Sequence, residues 1–333
     1  MNTKPLLICL TPVRNEAWVL DAFLTATSLW ADHIIIADQN STDSSREIYK
    51  KYPKVQVIEN NLPKMQMSHT RQLLFDEANK INGSKIVFTL DADEVFADNF
   101  METAGWKSIL NSQKNDVFEF KWVNLYGSFV KSLPTTNKNA DGDWVCNYGE
   151  KIEGDYPDNY IHEPRLKYPE SANWLVISDL KIIHFARLFT ERQKNKENFY
   201  QISTVVNEPK KSAVSLFRHY YYKAITVNVD ARIYDYYRSN GIDFEKLIKK
   251  DIGEYYLRSI IEMFDEKGTK YFQKLDIWDK TWLKTLSQIA GNEIRDPRNA
   301  FYKLLHFYFR KTNKYNNTLV IRYLDKVLKR IIK

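Results

Sequence analysis

The chain has 333 residues, of which 44% are hydrophobic and 27% charged, and this balance excludes a disordered polypeptide and predicts one large core or two smaller ones. No apolar run approaches the roughly 18 residues of a membrane span, and the apolar opening of residues 6–10 is too short for a signal sequence, so we expect a cytoplasmic protein. Only two cysteines are present, Cys9 and Cys146, the second in a polar stretch. They exclude a disulfide framework and are expected to be free thiols.

The net charge of +7 is unevenly distributed along the chain. Residues 1–186 carry a net charge of −6, whereas residues 187–333 carry +13. A basic carboxyl-terminal region suits nucleic acid or an anionic membrane face, although a solvated helical surface accounts for the charge equally well. The basic residues are spread over helices without a recognisable docking motif, so we expect no nucleic-acid partner.

The first ninety residues alternate between strand and helix patterns. Strands are predicted over residues 6–11, 33–38, 55–59 and 85–90, and helices over residues 16–30, 44–51 and 68–80. Such alternation predicts an α/β fold with a mostly parallel sheet covered by helices on both faces. Ligands of these sheets gather at the carboxyl ends of the strands.

The pattern changes after residue 90. Residues 116–123 and 174–185 are predicted to be further strands, and the polar residues 127–158 between them are predicted to form a mobile loop over the site. Beyond His184 the sequence becomes helical and rich in tyrosine. We therefore predict a first domain over residues 1–187 and a helical, basic second domain over residues 188–333.

Two carboxylates, those of Asp91 and Asp93, follow the predicted buried strand of residues 85–90. They would repel each other there unless a cation lay between them. Mg²⁺ and Mn²⁺ prefer a few carboxylate oxygens and complete their shells with water and phosphate oxygens. The pair therefore predicts a site for a metal and a diphosphate, and hence chemistry on a nucleotide.

Three polar motifs follow strands in order: Thr-Pro-Val-Arg-Asn-Glu at residues 11–16, Asp-Gln-Asn-Ser-Thr-Asp at residues 38–43, and Asp-Ala-Asp-Glu at residues 91–94. In order and spacing they resemble the family 2 glycosyltransferases of the GT-A fold, over roughly residues 5–190. The resemblance implies a Rossmann-like GT-A sheet flanked by helices and followed by a mainly helical region. It also implies a metal-dependent, inverting transfer of sugar from a nucleoside-diphosphate sugar, with Mn²⁺ or Mg²⁺ as cofactor.

The resemblance also implies a binding site for the donor. It assigns to that site Thr11, Pro12, Val13, Arg14, Asn15, Glu16, Asp38, Arg71, Asp91 and Ala92. Within this set Arg14 lies near the base and diphosphate, and Asp38 pairs with the base. Arg71 matches a family arginine, although Gln72 follows it where the family usually has asparagine. We also expect Asn15 to cap the helix that follows.

The metal ligands implied by the resemblance are Asp91, Asp93 and His184, with Asp93 acting in catalysis through the metal. For His184, a core histidine bonded to a carbonyl stays open as the alternative. An acceptor hydroxyl must lose its proton as it attacks, so a carboxylate is needed opposite the leaving group, and Glu163 is the predicted base. Other acids of the same stretch stay open for that role, namely Glu150, Glu153, Asp155 and Asp158.

Residues 319–333 form a predicted basic amphipathic helix. Helical spacing relates its apolar residues, which are Val320, Ile321, Leu324, Val327, Leu328, Ile331 and Ile332. Such a helix can lie in the surface of an anionic membrane, where lipid-linked acceptors are found. Alternatively, the apolar stripe packs on the helical domain or on a second subunit.

The sequence thus predicts a glycosyltransferase that uses a UDP- or GDP-linked donor and a carbohydrate or lipid-linked acceptor in surface polysaccharide assembly. One alternative is a sugar-phosphate nucleotidyltransferase, which should have a glycine-rich loop near residue 12, yet the first glycine is Gly83. The other alternative is a non-catalytic protein that binds nucleotide sugars. The sequence does not indicate the oligomeric state.

Overall fold

A computed structural model describes residues 4–61, 67–134, 144–152, 165–168, 171–221 and 226–332. The chain divides into two compact units. The first comprises Met1–Leu188 with Ile225–Lys250, and the second comprises Phe189–Ala224 with Asp251–Lys333. The predicted boundary after residue 187 lies one residue from the first change of unit, but the return of residues 225–250 was not predicted.

The elements follow one another in chain order. The strands are β1 (Leu6–Val13), β2 (His33–Asp38), β3 (Val55–Glu59), β4 (Lys85–Thr89), β5 (Glu94–Phe96), β6 (Asp116–Asn124), β7 (Lys131–Ser132), β8 (Trp144–Gly149), β9 (Asn173–His184) and β10 (Val227–Asn228). The α-helices are α1 (Ala17–Ser28), α2 (Ser45–Tyr49), α3 (Met67–Asn79), α4 (Ala104–Leu110), α5 (Thr190–Asn207), α6 (Ala213–Tyr220), α7 (Asp235–Ser239), α8 (Phe244–Leu247), α9 (Glu254–Lys267), α10 (Lys280–Ala290), α11 (Ala300–Thr312) and α12 (Leu319–Ile331). The predicted strands and helices of the first ninety residues are all present.

The first unit is built on an eight-stranded sheet in the order β3-β2-β1-β4-β8-β6-β9-β5. Its parallel pairs are β1 with β2, β1 with β4, β2 with β3, and β6 with β9. The pairs that involve β8 or β5 are antiparallel. Apolar runs such as β4 are buried along their whole length, as expected of strands covered on both faces. The predicted α/β fold is confirmed.

Strand β8 corrects one prediction, because it lies inside residues 127–158, which were predicted to be a loop. It pairs with β4 on one side and β6 on the other, and its Cys146 is fully buried opposite Val87 and Val117. Both cysteines are free thiols, and burial raises the pKa of each to about 12. Pairing on both sides therefore holds this six-residue strand within the sheet.

Aromatic side chains anchor the turn between β4 and β5. Phe88 of β4 packs 4.5 Å from Trp30, and Phe96 of β5 packs 5.0 Å from Phe100, with Trp106 in contact with all four rings. Offset and edge-to-face packing of this kind adds about 0.5–1.5 kcal/mol per pair beyond burial. Both strands that flank residues 90–93 are therefore held in a rigid core.

Residues 225–250 join the first unit through aromatic contacts. The Tyr237 hydroxyl donates to the carbonyl oxygen of Phe96 at 2.8 Å, and Phe244 packs against Phe185 at 5.4 Å. This region contains β10, a 3₁₀ helix at Ala231–Tyr234, and the short helices α7 and α8. It is thus less regular than the helical character predicted after His184.

The second unit is helical and has two clusters of buried apolar side chains. One cluster joins α5, α9 and α10, and the other joins α6 with α11 and Ile332. The Arg192 guanidinium pairs with Asp251 at 2.8 Å beside the first cluster. Among the residues described, no helix combines the length and apolarity needed to cross a bilayer.

Candidate functional site

Several strands of the large sheet end at the same edge. Val13 pairs with Asp38 in parallel register, Leu10 pairs with Thr89, and Asn124 pairs with His184. Because β8 is antiparallel to both β4 and β6, those two strands also run in the same direction. The carboxyl ends of β1, β2, β4, β6 and β9 therefore share one edge, which is where such sheets bind ligands.

The loops after β1 and β2 are tied to each other by side chains. Asn15 has a φ angle of +56°, and its Oδ1 accepts hydrogen bonds from the backbone N–H groups of Thr42 at 2.7 Å and Asp43 at 3.3 Å. In return, the hydroxyl of Ser41 accepts from the N–H of Asn15 at 3.0 Å. Asn15 thus joins the loop after β1 to the loop after β2 through both its side chain and its backbone.

The predicted cap by Asn15 is wrong. The residue that precedes α1 is Glu16, whose side chain makes no capping bond. Asp43 of the neighbouring loop instead accepts from the N–H of Ala17 at 3.0 Å. Asn15 cannot cap α1, because its left-handed backbone turns its side chain towards the loop after β2.

Asp38 is fully buried and bonded within the protein. Its Oδ1 accepts from the N–H of Ser41 at 2.9 Å and from Arg46 at 3.0 Å, and its Oδ2 accepts from the Tyr49 hydroxyl at 2.8 Å. Burial raises the pKa of Tyr49, and the charge of Asp38 raises it further, so the phenol remains a donor. In this conformation Asp38 orders the loop, and its contact with a base stays a prediction.

A buried polar group positions the start of α3. The Thr70 hydroxyl accepts from the side-chain amides of Gln39 at 2.7 Å and Asn60 at 2.8 Å, which lie after β2 and β3. The next residue, Arg71, lines a small cleft whose lining also includes Pro12, Asp91 and Arg165. Three of the predicted donor-binding residues therefore share this cleft.

The acidic turn is organised by Arg165, which the sequence reasoning did not assign to the site. Its guanidinium donates to Asp91 Oδ2 at 2.8 Å and to Glu94 at 2.7 and 3.1 Å. Glu94 has no exposed side-chain surface, and it also accepts from the N–H of Asp91 at 2.8 Å. Desolvation raises the pKa of Asp91, with Arg165 opposing the effect and Glu94 and Asp93 adding to it.

His184 lies beside the same turn. Its Nε2 is 3.6 Å from Asp93 Oδ1 and 3.9 Å from Glu94 Oε1, and its Nδ1 is 2.7 Å from Asn124 Oδ1. Burial lowers the pKa of His184, but the charges of Asp93 and Glu94 raise it more, so the net shift is upward. The Trp122 ring packs 4.8 Å from His184 and 5.4 Å from the Arg165 guanidinium.

Asp93, Glu94 and His184 form a group that can hold a metal ion, since one ligand atom from each lies within 4.8 Å of the others. Two of these are predicted ligands. The third, Glu94, was not a predicted ligand. Asp91, which like Glu94 accepts from Arg165, stays a prediction as a metal ligand. Two carboxylates with one imidazole suit a divalent ion that accepts both oxygen and nitrogen ligands.

The other residues predicted to bind the sugar donor differ in whether their side chains are accessible to a ligand. Thr11, Val13 and Ala92 have buried side chains, so they would contribute chiefly backbone groups, and Arg14 and Glu16 are half-buried in the loop after β1. The predicted base Glu163 lies outside the described residues, as do Glu153, Asp155 and Asp158.

Glu150 is described, and it lies far from the acidic turn. Gly149 pairs with Lys85, the first residue of β4, and Lys85 donates to the backbone oxygen of Glu150. Asp91 lies beyond the other end of β4, six residues along the chain from Lys85, so the two points are separated by roughly 20 Å. This placement excludes Glu150 as the base in the described conformation.

Sequence reasoning missed Glu94, Arg165, Asn124 and Trp122 as site residues. Glu94 and Arg165 could have been recognised from the sequence. Glu94 is the last residue of the Asp-Ala-Asp-Glu motif, and Arg165 lies two residues after the predicted base Glu163. Asn124 and Trp122 carried none, because the register between β6 and β9 brings them to His184.

Comparison with protein families identifies one match. Residues 9–104 match the model of the family described as Glycosyl transferase family 2, a segment that contains all three polar motifs. This match confirms the resemblance predicted from those motifs. No curated protein matches the chain.

Solved structures give weaker likenesses. S. aureus TarS 1-349 is 14% identical, with 43% of this chain and 47% of that chain covered and a TM-score of 0.30. Glucosyl-3-phosphoglycerate synthase from Mycobacterium tuberculosis, in complex with Mn²⁺, UDP and glucosyl-3-phosphoglycerate, is 14% identical, with 43% and 57% covered and a TM-score of 0.29. 4-Diphosphocytidyl-2C-methyl-D-erythritol synthase from Anaerococcus prevotii is 16% identical, with 44% and 72% covered and a TM-score of 0.28. The chain spans about half the length of the first two, and these values add nothing to the fold derived from the sheet.

Proposed function

Since residues 9–104 belong to glycosyl transferase family 2, we propose that this protein transfers a sugar from a nucleoside-diphosphate sugar to an acceptor hydroxyl. The observation that supports this most is the acidic turn at the carboxyl edge of the sheet, where Asp93 and Glu94 lie within reach of His184 and Arg165. The carboxylates and the imidazole of this turn are ligands for a cation, and the positive charge of Arg165 beside them suits a diphosphate.

The reaction requires charge stabilisation at the leaving group. The acceptor oxygen bonds to the anomeric carbon as the bond from that carbon to the diphosphate oxygen breaks, and negative charge grows on the departing nucleoside diphosphate. Arg71 and Arg165 line the cleft at Asp91 and would contact that charge. Their positive charge would stabilise the transition state more than the ground state.

We propose Asp93, Glu94 and His184 as the residues that hold a divalent cation, Mn²⁺ in preference to Mg²⁺. When bound, such an ion supplies a Lewis acid at the diphosphate oxygens. Asp91 is proposed to face the donor, with Arg165 setting its orientation through the bond at 2.8 Å.

The remaining roles in the proposal come from the resemblance. Glu163 takes the acceptor proton, and attack opposite the leaving group inverts the anomeric centre. The donor carries UDP or GDP, the acceptor is a carbohydrate or a lipid-linked carbohydrate, and the product belongs to surface polysaccharide assembly in the cytoplasm. Residues 11–16 with Asp38 form the nucleotide side of the site.

The experiment is a donor screen with the purified full chain. UDP- and GDP-sugars are incubated with Mn²⁺, with and without oligosaccharide acceptors, and release of nucleoside diphosphate is measured. We expect release from one donor class, and a loss of at least about 100-fold in Asp93→Asn. Asp265→Asn serves as the control, because it makes the same change on an exposed position of α9 and should leave the rate unchanged.

Two other outcomes would overturn the proposal. Formation of a nucleotide sugar and pyrophosphate from a nucleoside triphosphate and a sugar phosphate would identify a nucleotidyltransferase. Tight donor binding with no turnover for any acceptor or for water would identify a binding protein.

A further inference from the structure

Helix α12 presents apolar side chains on two different faces. The face turned inward carries Ile321, Leu328 and Ile332 together with Asp325, at a spacing of three or four residues. A second row, formed by Val320, Leu324, Val327 and Ile331, follows the same spacing but faces outward. The apolar residues of the predicted amphipathic helix therefore divide into a packed row and an exposed row.

The inward face already attaches α12 to its own unit. Ile332 and Leu328 pack with Phe217 and Phe309, and Asp325 accepts from Arg218 at 2.8 Å. Arg218 also donates to the carbonyl oxygen of Phe309 at 3.2 Å, which links α12 to α11. Packing within the unit thus accounts for the inward row and leaves the outward row unexplained.

The outward row is well exposed. The exposed fraction is 68% for Val320 and 72% for Ile331, and the flanking Leu319 and Tyr323 are similarly open. The helix also carries four exposed basic residues. Arg330 and Lys326 lie on the side of the outward row away from the packed face, whereas Arg322 and Lys329 lie across the helix from that row, beside Asp325. In the same unit, α11 exposes three more large apolar side chains, those of Phe301, Leu304 and Phe307.

We propose that the outward row of α12 docks on the surface of an anionic lipid bilayer. A helix with an apolar row beside a basic sector lies in the plane of such a surface, its apolar side chains among the acyl chains and its basic side chains at the headgroups. The charge of residues 187–333, +13, is complementary to anionic lipid. The proposal is independent of the proposed function, because binding to lipid needs no donor or turnover.

Charge also argues against a second copy as the occupant of this surface. A symmetric contact between two copies places the same patch on both sides, so the basic sectors along the outward rows would lie against each other. Such like-charge contacts are unfavourable, whereas anionic headgroups would neutralise the same residues.

The test is co-sedimentation of the full chain with vesicles of phosphatidylcholine alone and of phosphatidylcholine with phosphatidylglycerol. We expect binding to the anionic vesicles that weakens as salt is raised. Val320→Glu with Ile331→Glu should lower the partition constant at least ~100-fold, because two apolar side chains no longer enter the bilayer. Lys326→Gln with Arg330→Gln should lower it by about 25-fold at low salt, roughly fivefold for each charge.

A matched control makes two similar changes outside α12. Val130→Glu with Val176→Glu replaces two exposed aliphatic residues of the first unit and changes the net charge by the same amount. This variant should bind as the unmodified chain does. We expect each variant to fold, because all the changed residues are exposed, and circular dichroism with thermal melting checks this.

Three results would overturn the proposal. One is equal vesicle binding by the α12 variants and the control, and another is absence of binding by the unmodified chain. The third is self-association of the unmodified chain in analytical ultracentrifugation, if the α12 variants abolish it and neither they nor the unmodified chain bind lipid. That result would assign the surface to a second copy.

Discussion

The Nδ1 atom of His184 lies 2.7 Å from the Oδ1 atom of Asn124. Because an amide oxygen can only accept a hydrogen bond, this contact places a proton on Nδ1. Nε2 is then the ring nitrogen that faces Asp93 Oδ1, 3.6 Å away. A histidine that binds a metal is usually oriented by such a second bond, so Asn124 is a positioning residue for the proposed metal group.

Replacing Asn124 should therefore weaken metal binding without removing a ligand. We expect Asn124→Ala to lower the affinity for Mn²⁺, in the presence of UDP or GDP, by about 10–100-fold. Asn124→Asp should keep most of the affinity, because a carboxylate still accepts from Nδ1–H. Isothermal titration calorimetry measures both, with Asn317→Ala at an exposed site as the control. Equal affinities in all variants would contradict the assignment.

Removing Arg165 should destabilise the fold, because it leaves two carboxylates without their partner. The side chain of Glu94 is fully buried and that of Arg165 is 16% exposed. We expect Arg165→Met to lower the free energy of unfolding by about 3 kcal/mol, measured by urea denaturation. Adding Glu94→Gln should recover part of this loss. Arg232→Met, which breaks the exposed pair with Asp230, should cost much less, because solvent screens that pair.

Stability should fall in mild acid because of His306 in the second unit. Its Nε2 donates to the carbonyl oxygen of Lys274, and its Nδ1 accepts from Arg298, so the ring is held neutral. Burial lowers its pKa to about 4, with Asp276 opposing the shift and Arg298 and Arg310 adding to it. Between pH 4 and the ordinary value of 6.5, the unfolded chain binds a proton that the folded chain does not.

The stabilising effect of the neutral ring is thus complete above pH 6.5 and is lost as the pH falls towards 4, a difference on the order of 3 kcal/mol. Thermal melts between about pH 5 and 6.5, above the range in which most carboxylates titrate, should show a falling melting temperature. The slope should flatten in His306→Asn and persist in His219→Asn, which changes an exposed histidine of α6. The same slope in both variants would assign the effect to other groups.

Gly105 in α4 should not tolerate a side chain. A methyl group there would overlap Cγ2 of Ile177 and lie 2.5 Å from Asp179 Oδ1, the carboxylate that accepts from the N–H of Gly105. We expect Gly105→Ala to destabilise the protein by about 1–3 kcal/mol, despite the higher helix propensity of alanine. Ile177→Ala in the same chain should reduce that cost. Additive losses in the double variant would show that Ile177 is not the source of the strain.

The alternating part of the fold could be predicted because each element carries its own signal. The apolar run of β4 and the polar turn behind it are adjacent in sequence, so the edge that gathers Asp91 and Asp93 follows from the topology. The match of residues 9–104 to the glycosyl transferase family 2 model confirms the resemblance predicted from the same motifs.

Other features depend on contacts between distant residues and left no local signal. Strand β8 is stabilised by its two neighbours, and Asn124 meets His184 only through the register of β6 and β9. The spacing of apolar residues in α12 predicted a helix but not which of its two rows would be packed. Likewise, the left-handed backbone of Asn15 determines that its amide crosses to the next loop instead of capping α1.

The side-chain oxygen of Asn15 accepts from the backbone of Thr42 and Asp43, and these bonds fix the loop after β1 against the loop after β2. A binding surface that is ordered before its ligand arrives loses little conformational entropy on binding. More of the energy of its contacts with the ligand is then available as affinity. For the proposed donor, preorganisation of this kind would favour selectivity for one nucleotide over tolerance of many. In the proposed reaction, this rigidity would leave adaptation to the size of the sugar to elements farther from these two strands.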